Sequence, residues 1–444
     1  MPTIPAIAQL LIVFSLVVLA TTRKMHLGLA AALGGIALSL WRGLDLAAIA
    51  ATTFRELFNP DTLFLLLVMT GIMAFSVAMK KSGAMDDFVR AVTEIAPSKR
   101  IAIAIAPLLI GTLPMPGGAI LSAPLVDAMD SERERGPEIL ASANYWFRHC
   151  FELSWPLYPS FILTASLTGI PATRLIALNL YAPISIFTLG LVFVMPRLAG
   201  GGVDAKSHNF SEKRPLQTSR PLRRLAAFFA GIAPLALVIG VYIVSATLWS
   251  AVSPSIALSD TDKNLIGRYA PIFLGLLAGS VRITARGGGL TAFRGCVPAS
   301  TLKLIATIAG IRIFSALIGE AGVAERAARE LTSAGIPTVV AAAIIPFVAG
   351  LVTGVGFGYV GLAFPIVLGL VAGGGPLSRE AAIVLAAAFG YAGMMLSPLH
   401  VCMVVSAEHF GEGLPAMYRR FVPPLAIYVA IAMAYVALLT AIGA

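Results

Sequence analysis

The sequence predicts an all-α polytopic membrane protein of two inverted repeats, each with five transmembrane helices, a re-entrant helical hairpin and a broken helix. Three observations predict this fold class. Only 12% of the 444 residues are charged and 58% are hydrophobic, whereas a soluble domain carries about 25% charged residues. Apolar runs long enough to cross a hydrocarbon core of about 30 Å recur along the chain. Gly and Pro interrupt several of these runs at matching positions in the two halves. A soluble enzyme is therefore excluded.

Ten of the apolar runs are predicted to cross the membrane as helices. They lie near residues 5–20, 27–41, 62–79, 150–168 and 175–195 in the first half, and near 225–248, 269–284, 298–318, 381–406 and 421–443 in the second. The first run lacks the basic segment and cleavage site of a signal peptide, so we expect it to remain as a helix. The predicted domains are a first repeat at 1–197, a cytoplasmic linker at 198–224 and a second repeat at 225–444.

Two further apolar segments, 101–126 and 337–373, contain Gly and Pro at mid-length. Pro removes a backbone donor and Gly permits the chain to turn, so each segment is predicted to form a hairpin of two half-helices. A kinked but continuous helix is the alternative. The two segments match at a spacing of about 240 residues, as do Pro156 and Pro398 in two of the spans. Because five crossings is an odd number, the second repeat is predicted to be inverted relative to the first.

The net charge of +10 does not indicate a nucleic-acid partner, because the basic residues lie between apolar runs and form no stripe. Their distribution among the loops instead predicts the orientation of the chain in the membrane. Lys and Arg concentrate on loops that face the cytoplasm when the first span runs from outside to inside. The sequence therefore predicts a multi-pass protein of the cell inner membrane, in contact with the lipid bilayer, with both termini outside. Three cysteines, Cys150, Cys296 and Cys402, lie in or beside apolar runs and predict no disulfide framework.

The two hairpin tips are the first candidate site. A helix that begins after such a tip points unpaired N–H groups and the positive end of its dipole at the membrane interior, which suits an anion. Gly lets a ligand approach the backbone closely, and hydroxyl groups supply further ligands. The candidate substrate-binding residues are Thr112, Pro114, Gly117, Gly118 and Ser122 in the first tip, and Thr353, Gly356 and Gly358 in the second.

Two spans interrupted by Pro, within SWPLYP (154–159) and LSPLH (396–400), form the second candidate site. A Pro at mid-membrane frees a carbonyl, which needs a neighbouring helix, water, a cation or a substrate as its partner. Discontinuous helices that meet hairpin tips form the binding site in several transporter folds. Ser154, Tyr158 and Ser397 are the candidates here, and a structural Pro kink is the alternative.

Ionisable residues inside a predicted span form the third candidate site, within NYWFRHCFELSWP (144–156). The spacing of Asn144, Arg148 and Glu152 predicts that Arg148 and Glu152 pair on one helical face, while His149 points about 100° away. An ionisable residue inside the membrane is a functional hypothesis by default, so these four residues are candidates for coupling. A structural ion pair that lets this helix enter the membrane is the alternative.

Arg312 and His400 complete the candidate residues. Arg312 lies far from either end of its run, and burying it costs about 2.5–3.5 kcal/mol unless it finds a partner. An anionic substrate or Glu152 would serve, and an interhelical salt bridge is the alternative. His400 follows the LSP break and is a candidate proton carrier, because imidazole titrates near neutral pH. A hydrogen-bonded packing role is its alternative.

Sequence motifs for other activities are absent. The triple glycines at 287–289 and 373–375 lack the Lys and the Ser or Thr of a nucleotide phosphate loop, and no HExxH or CxxC occurs. The five histidines are scattered along the sequence. We therefore expect no cofactor, no metal site and no enzymatic activity.

Two stretches, LPMPGGAILSAPLVDAM (113–129) and NYWFRHCFELSWPLYPSFILTASL (144–167), resemble an uncharacterised family of bacterial and archaeal membrane proteins, DUF401. That family is grouped with the ion transporter superfamily, beside divalent-anion sodium symporters, citrate carriers and gluconate permeases. The resemblance implies inverted repeats, a homodimer and transport domains that move as elevators. It also implies that the tips at Thr112–Ala119 and Thr353–Gly361, and the breaks at Ser154–Tyr158 and Leu396–His400, line the site. The symporters carry Ser-Asn-Thr motifs where this chain has PMPGG and TGVGFGYVG, which leaves substrate and coupling ion open.

Together these features predict a secondary active transporter of a small organic anion, such as a carboxylate, driven by a proton or sodium gradient through alternating access. The alternative is a sodium/proton antiporter in which Glu152 carries the proton with His149 or His400. A membrane enzyme or a non-transporting scaffold is a third class.

Overall fold

The computed structural model describes residues 4–93, 96–113, 118–130, 134–196, 221–285, 289–335, 337–372 and 377–443, and helices form their regular structure. The first half contains α1 (Ala6–Thr22), α2 (Leu27–Trp41), α3 (Leu46–Leu57), α4 (Pro60–Lys81), α5 (Ala84–Thr93), α6 (Lys99–Gly111), α7 (Ala119–Met129), α8 (Pro137–Arg148), α9 (Pro159–Thr168), α10 (Ala172–Asn179) and α11 (Tyr181–Leu189), which continues as a π-helical turn at Gly190–Val194. The second half contains α12 (Pro221–Val252), α13 (Asp260–Ile283), α14 (Ala299–Glu320), α15 (Val323–Ser333), α16 (Thr338–Thr353), α17 (Gly356–Ala372), α18 (Arg379–Leu396), α19 (Val401–Phe410) and α20 (Leu414–Ala441).

Among the described residues, seven helical segments are long and apolar enough to cross a membrane. They are Pro60–Lys81, Ala172–Val194, Phe229–Ser255, Asp260–Ile283, Ala299–Glu320, Arg379–Phe410 and Leu414–Ala441. They confirm a multi-pass membrane protein. The predicted spans at 5–20 and 27–41 coincide with α1 and α2, which are shorter apolar helices. The predicted span at 150–168 is helical only from Pro159 onwards.

Both predicted hairpin segments form two half-helices that contact each other, α6 with α7 and α16 with α17. The second hairpin turns at Gly354, whose φ of 61° lies in the left-handed region that Gly adopts without strain. Among the described residues of both segments, two helices that contact each other take the place of a continuous kinked helix.

Both predicted broken helices are interrupted where Pro predicts it. The second break is short, between the end of α18 at Leu396 and the start of α19 at Val401. The first break is longer than the second and consists of residues 149–158, which form turns between α8 and α9. Pro159 begins α9, a position that requires no backbone N–H.

The helices around the hairpins follow the same order in both halves, a short helix before the hairpin and a broken helix after it, and contacts between the halves are reciprocal. Helix α5 contacts α12, the first helix of the second half, whereas its counterpart α15 contacts α1, the first helix of the first half. Likewise α9 contacts α17 in the second hairpin, and α19 contacts α7 in the first. Each hairpin thus packs against a broken helix of the other half.

Helices α2 and α14 cross with their backbones in contact at two glycines. A Cβ added to Gly310 would overlap the carbonyl of Gly28, and a Cβ added to Gly28 would overlap the backbone of α14. Backbone atoms at such a crossing cannot move aside as a flexible side chain can. This crossing is a small-residue interface of the kind that joins membrane helices closely.

We expect Gly310→Ala to destabilise the protein by about 1–3 kcal/mol, the usual cost of overpacking a well-packed contact. Gly319→Ala is the matched control, because it lies on the same helix and its Cβ would meet nothing within 4 Å. Thermal unfolding of the purified variants in detergent measures both effects. Equal unfolding temperatures for the two variants would contradict the close crossing.

Candidate functional site

The tip of the second hairpin lies against the second helix break. A Cβ added to Gly354 would lie 2.9 Å from Ser397 Oγ and 3.0 Å from the backbone N of His400. Ser397 is fully buried and its Oγ accepts a hydrogen bond from the Leu399 N–H at 3.3 Å. The Thr353 hydroxyl donates to the Ala349 carbonyl at 2.7 Å. The predicted contact between a tip and a break is therefore present in the second half.

The end of the first hairpin arm contacts the first helix break through two side chains of the break. Trp155 Nε1 donates to the carbonyl of Thr112 at 2.8 Å. The Tyr158 hydroxyl donates to the carbonyl of Gly111 at 2.5 Å and lies 3.2 Å from the carbonyl of Arg148. The carbonyls at the end of α6 thus obtain the partners that a helix C-terminus lacks.

Arg148 lies at the start of the second arm of the first hairpin. A Cβ added to Gly118 would overlap the Arg148 guanidinium, so the charge lies directly against the residue that precedes α7. Ser122, one turn into α7, is fully buried, and its hydroxyl lies 3.4 Å from the Ala119 carbonyl. The arrangement places a positive side chain beside the N-terminal end of a half-helix.

Glu152 lies at the corresponding end of the second hairpin. Its Oε1 accepts a hydrogen bond from the Ser160 hydroxyl at 3.0 Å, and a Cβ added to Gly356 would overlap the same oxygen. Gly356 begins α17, so the carboxylate lies at the positive end of that helix. Its Oε2 lies 3.4 Å from His149 Nδ1.

The predicted i, i+4 pairing of Arg148 with Glu152 on one helical face is wrong in its geometry. Helix α8 ends at Arg148, and Glu152 lies in the turns that follow, so the two residues do not share a helical face. Arg148 therefore reaches the first hairpin and Glu152 reaches the second.

The two broken helices contact each other between the hairpins. Asn144 Nδ2 donates to Ser406 Oγ at 2.8 Å, and the ring centroids of His149 and His400 are 4.6 Å apart. Both imidazoles are buried, as is Asn144. The ionisable residues of the two breaks thus form one buried cluster.

Arg312 lies in a separate polar cluster near the ends of α3, α4 and α9. Its Nε lies 2.7 Å from Glu56 Oε1, and its Nη2 lies 3.2 Å from Asp61 Oδ2. It also donates to the hydroxyls of Thr62 and Ser166 at 2.9 and 3.0 Å. These contacts form the interhelical salt bridge that is the alternative prediction for Arg312. The carboxylates of Glu56 and Asp61 thus balance its charge.

A cavity of about 560 Å³ opens beside Arg312. Its lining includes polar residues from five helices, namely Glu56, Asp61, Ser166, Asp262, Arg268 and Arg312. Sequence analysis did not identify Glu56, Asp61 or Arg268, because each lies near the end of an apolar run, where charges are ordinary. Ser160 and Ser166 are six residues apart on α9, which places the cavity about 9 Å along that helix from the Glu152 contact.

Most of the sequence-predicted residues converge on the hairpins and breaks. Ser154 is buried in the turns of the first break, and a Cβ added to Gly358 would touch the Thr353 hydroxyl. Pro114 and Gly117 lie outside the residues that the structure describes. Arg312 is the candidate that belongs to a different cluster.

A family model and a solved structure match this chain. A family model described as "Protein of unknown function (DUF401)" matches residues 6–214 and 290–440. The fold is similar to the crystal structure of the YdaH transporter of Alcanivorax borkumensis, described as having an unusual topology, with a TM-score of 0.57 and 17% identity over 90% of this chain and 89% of that one. No curated protein matches the chain significantly.

Proposed function

The chain belongs to the DUF401 family of proteins of unknown function, and from this premise we propose that it is a secondary active transporter of a small organic anion. Transport is coupled to a proton or sodium gradient and proceeds by alternating access. The protein acts as a homodimer in the cell inner membrane, with both termini outside.

The observation that carries the proposal is the placement of opposite charges at the two hairpins. Arg148 lies against Gly118 before α7, and Glu152 lies against Gly356 at the start of α17. Both positions offer backbone N–H groups of a half-helix inside the membrane. The carboxylate of a substrate binds at the Arg148 end, and the coupling ion binds at the Glu152 end.

Hydroxyl groups near the same positions supply neutral ligands for the substrate or the ion. We assign this role to Thr112, Ser122, Thr353 and Ser397, and close backbone contact to Gly118, Gly356 and Gly358. Arg148 replaces Arg312 as the group that balances the charge of the anion, because Glu56 and Asp61 already pair with Arg312.

Reciprocal contacts between the halves support inverted repeats and an elevator-type movement. A two-fold axis in the membrane plane would superpose α5 on α15 and α9 on α19. The same operation would superpose the contact of α5 with α12 on that of α15 with α1, and the contact of α9 with α17 on that of α19 with α7. The hairpins and broken helices then move as one body against the remaining helices. The ion transporter superfamily has this architecture, and the proposal places the chain within it.

The cavity beside Arg312 is the entrance to the site in this conformation. Its volume of about 560 Å³ lies within the range of small-molecule pockets. Its polar lining keeps it hydrated, and α9 leads from it towards Glu152. The Arg312 cluster therefore borders the path of the substrate without binding it in the final site.

A sodium/proton antiporter is the second candidate function. The contact of His149 with both Glu152 and His400 favours it, because three ionisable side chains at one buried position can exchange a proton for a cation. In that case no organic solute is needed.

Counterflow in proteoliposomes tests the first function against a panel of carboxylates and sulfonates, with imposed proton and sodium gradients. We expect exchange of at least one of these anions. A dye assay for sodium/proton antiport, made on the same vesicles without solute, identifies the second function. No exchange and no antiport under any gradient would contradict both.

Gly356→Ala is expected to lower the rate of counterflow at least about tenfold, because the added Cβ displaces Glu152 at a cost of about 1–3 kcal/mol. Gly240→Ala is the matched control, since its Cβ would meet nothing within 4 Å. Initial rates at equal protein content measure both variants. A wild-type rate in Gly356→Ala would remove the second hairpin from the site.

A further inference from the structure

The two helix breaks bring together three side chains, one from the first half of the sequence and two from the second. One ligand atom each of His149, His400 and Cys402 lies within 4.8 Å of the others. All three residues are buried, with 5%, 5% and 8% of their surface exposed. His149 follows α8, His400 precedes α19, and Cys402 lies in the first turn of α19.

Both imidazoles have a ring nitrogen that makes no hydrogen bond among the described residues. These atoms are His149 Nε2 and His400 Nδ1, and both are inaccessible to solvent. A buried polar atom without a partner is costly, and a bound ion is one way in which a protein satisfies it. The orientation of His149 agrees, because its other nitrogen faces the Glu152 carboxylate at 3.4 Å. A carboxylate behind a ligating imidazole is the usual support of a metal-bound histidine.

We propose that His149, His400 and Cys402 bind a monovalent copper ion, Cu(I). Thiolate and imidazole are the donors that Cu(I) and Zn²⁺ prefer, whereas Mg²⁺ and Ca²⁺ prefer oxygen. Bonds of about 2.0–2.3 Å hold donor atoms less than about 4 Å apart, so rotation of the side chains by about 1 Å closes the site.

The number and type of donors favour Cu(I) over Zn²⁺. Structural Zn²⁺ takes four ligands, and the described residues offer three. A soft thiolate beside imidazoles is a donor set that suits Cu(I).

Sequence analysis excluded a metal site because none of the usual spacings occurs. The three ligands come from two helix breaks in different halves of the chain, so only the tertiary structure assembles them. The test of this site needs no transport.

Binding of Cu(I) to the purified, reduced full-length protein in detergent, without oxygen, tests the proposal by competition with a chromogenic Cu(I) chelator. We expect one Cu(I) per chain, and a copper-edge X-ray absorption spectrum with one sulfur and two nitrogen neighbours. Mutation of a residue that only supports a metal ligand lowers metal affinity about 10–100-fold. Cys402→Ser removes a ligand itself, so we expect it to lower the affinity for Cu(I) more than about 100-fold. His400→Gln is expected to do the same.

Cys150→Ser is the matched control, because Cys150 is equally buried beside His149 but is not part of the cluster. It is expected to retain wild-type affinity. Thermal unfolding of each metal-free variant separates loss of the site from loss of the fold. Absence of Cu(I) binding by the wild type, equal binding by Cys402→Ser, or tighter binding of Zn²⁺ in the same competition would each overturn the proposal.

Discussion

Replacing Glu152 with Gln is expected to abolish gradient-driven accumulation of substrate while substrate exchange persists. The carboxylate accepts a hydrogen bond from Ser160 and lies at the positive end of α17. Gln has the same shape and fills the same space, but it neither carries a charge nor takes up a proton. A tenfold gradient of one coupled ion corresponds to about 1.4 kcal/mol and supports about tenfold accumulation. Without the coupled ion, the substrate should equilibrate across the membrane.

Uptake into proteoliposomes under an imposed gradient, beside counterflow without one, separates coupling from binding. Glu138→Gln is the matched control, because Glu138 lies on α8 and makes only a partly exposed contact with Arg420. It should accumulate substrate as the wild type does. Accumulation by Glu152→Gln at the wild-type level would place the coupling ion elsewhere.

Replacing Arg312 with Gln is expected to destabilise the protein by about 3–5 kcal/mol, the cost of removing one partner from a buried ion pair. Only 9% of the Arg312 side chain is exposed, and it pairs with both Glu56 and Asp61. Without it, Glu56 loses its guanidinium partner, whereas Asp61 keeps Arg268. Unfolding of the purified protein in detergent measures the loss.

Two further variants test the cause of that loss. Adding Glu56→Gln to Arg312→Gln removes the stranded carboxylate and should restore part of the stability. Arg174→Gln breaks an exposed ion pair with Glu380 and should leave the stability nearly unchanged, because solvent screens such pairs. If Arg312→Gln costs no more than Arg174→Gln, the Arg312 cluster contributes no stability.

The positions of the membrane helices were predictable because hydropathy and Pro or Gly interruptions are local signals. The start of α2 at Leu27, the turn at Gly354 and the break after Leu396 follow the predicted pattern. The short helices α3, α5 and α15 were not predicted, because each is too short to cross the membrane and carries charged residues. Such helices obtain their stability from neighbouring elements, which hydropathy does not record.

The identity of the candidate residues was predictable, but their partners were not. Glu152 was identified from its depth in the membrane, yet its pairing with Arg148 assumed a helix that in fact ends at Arg148. Arg312 was identified in the same way, while Glu56 and Asp61 carried no local signal. Contacts between distant parts of the chain depend on how the helices pack, and no local pattern in a single sequence reveals which distant residues pair.

Helix α9 packs against the second hairpin and α19 against the first, and this arrangement has a consequence for biogenesis. When the first half leaves the ribosome, Arg148 and Glu152 enter the bilayer before α17 and α19 exist to surround them. The nascent chain must therefore hold two charges in the membrane until the last quarter of translation, and insertion of the second hairpin completes their enclosure. Synthesis that stops before Gly356 yields a fragment in which the second hairpin does not cover Glu152. The insertion and quality-control machinery would then act on a fragment with an exposed charge in the membrane.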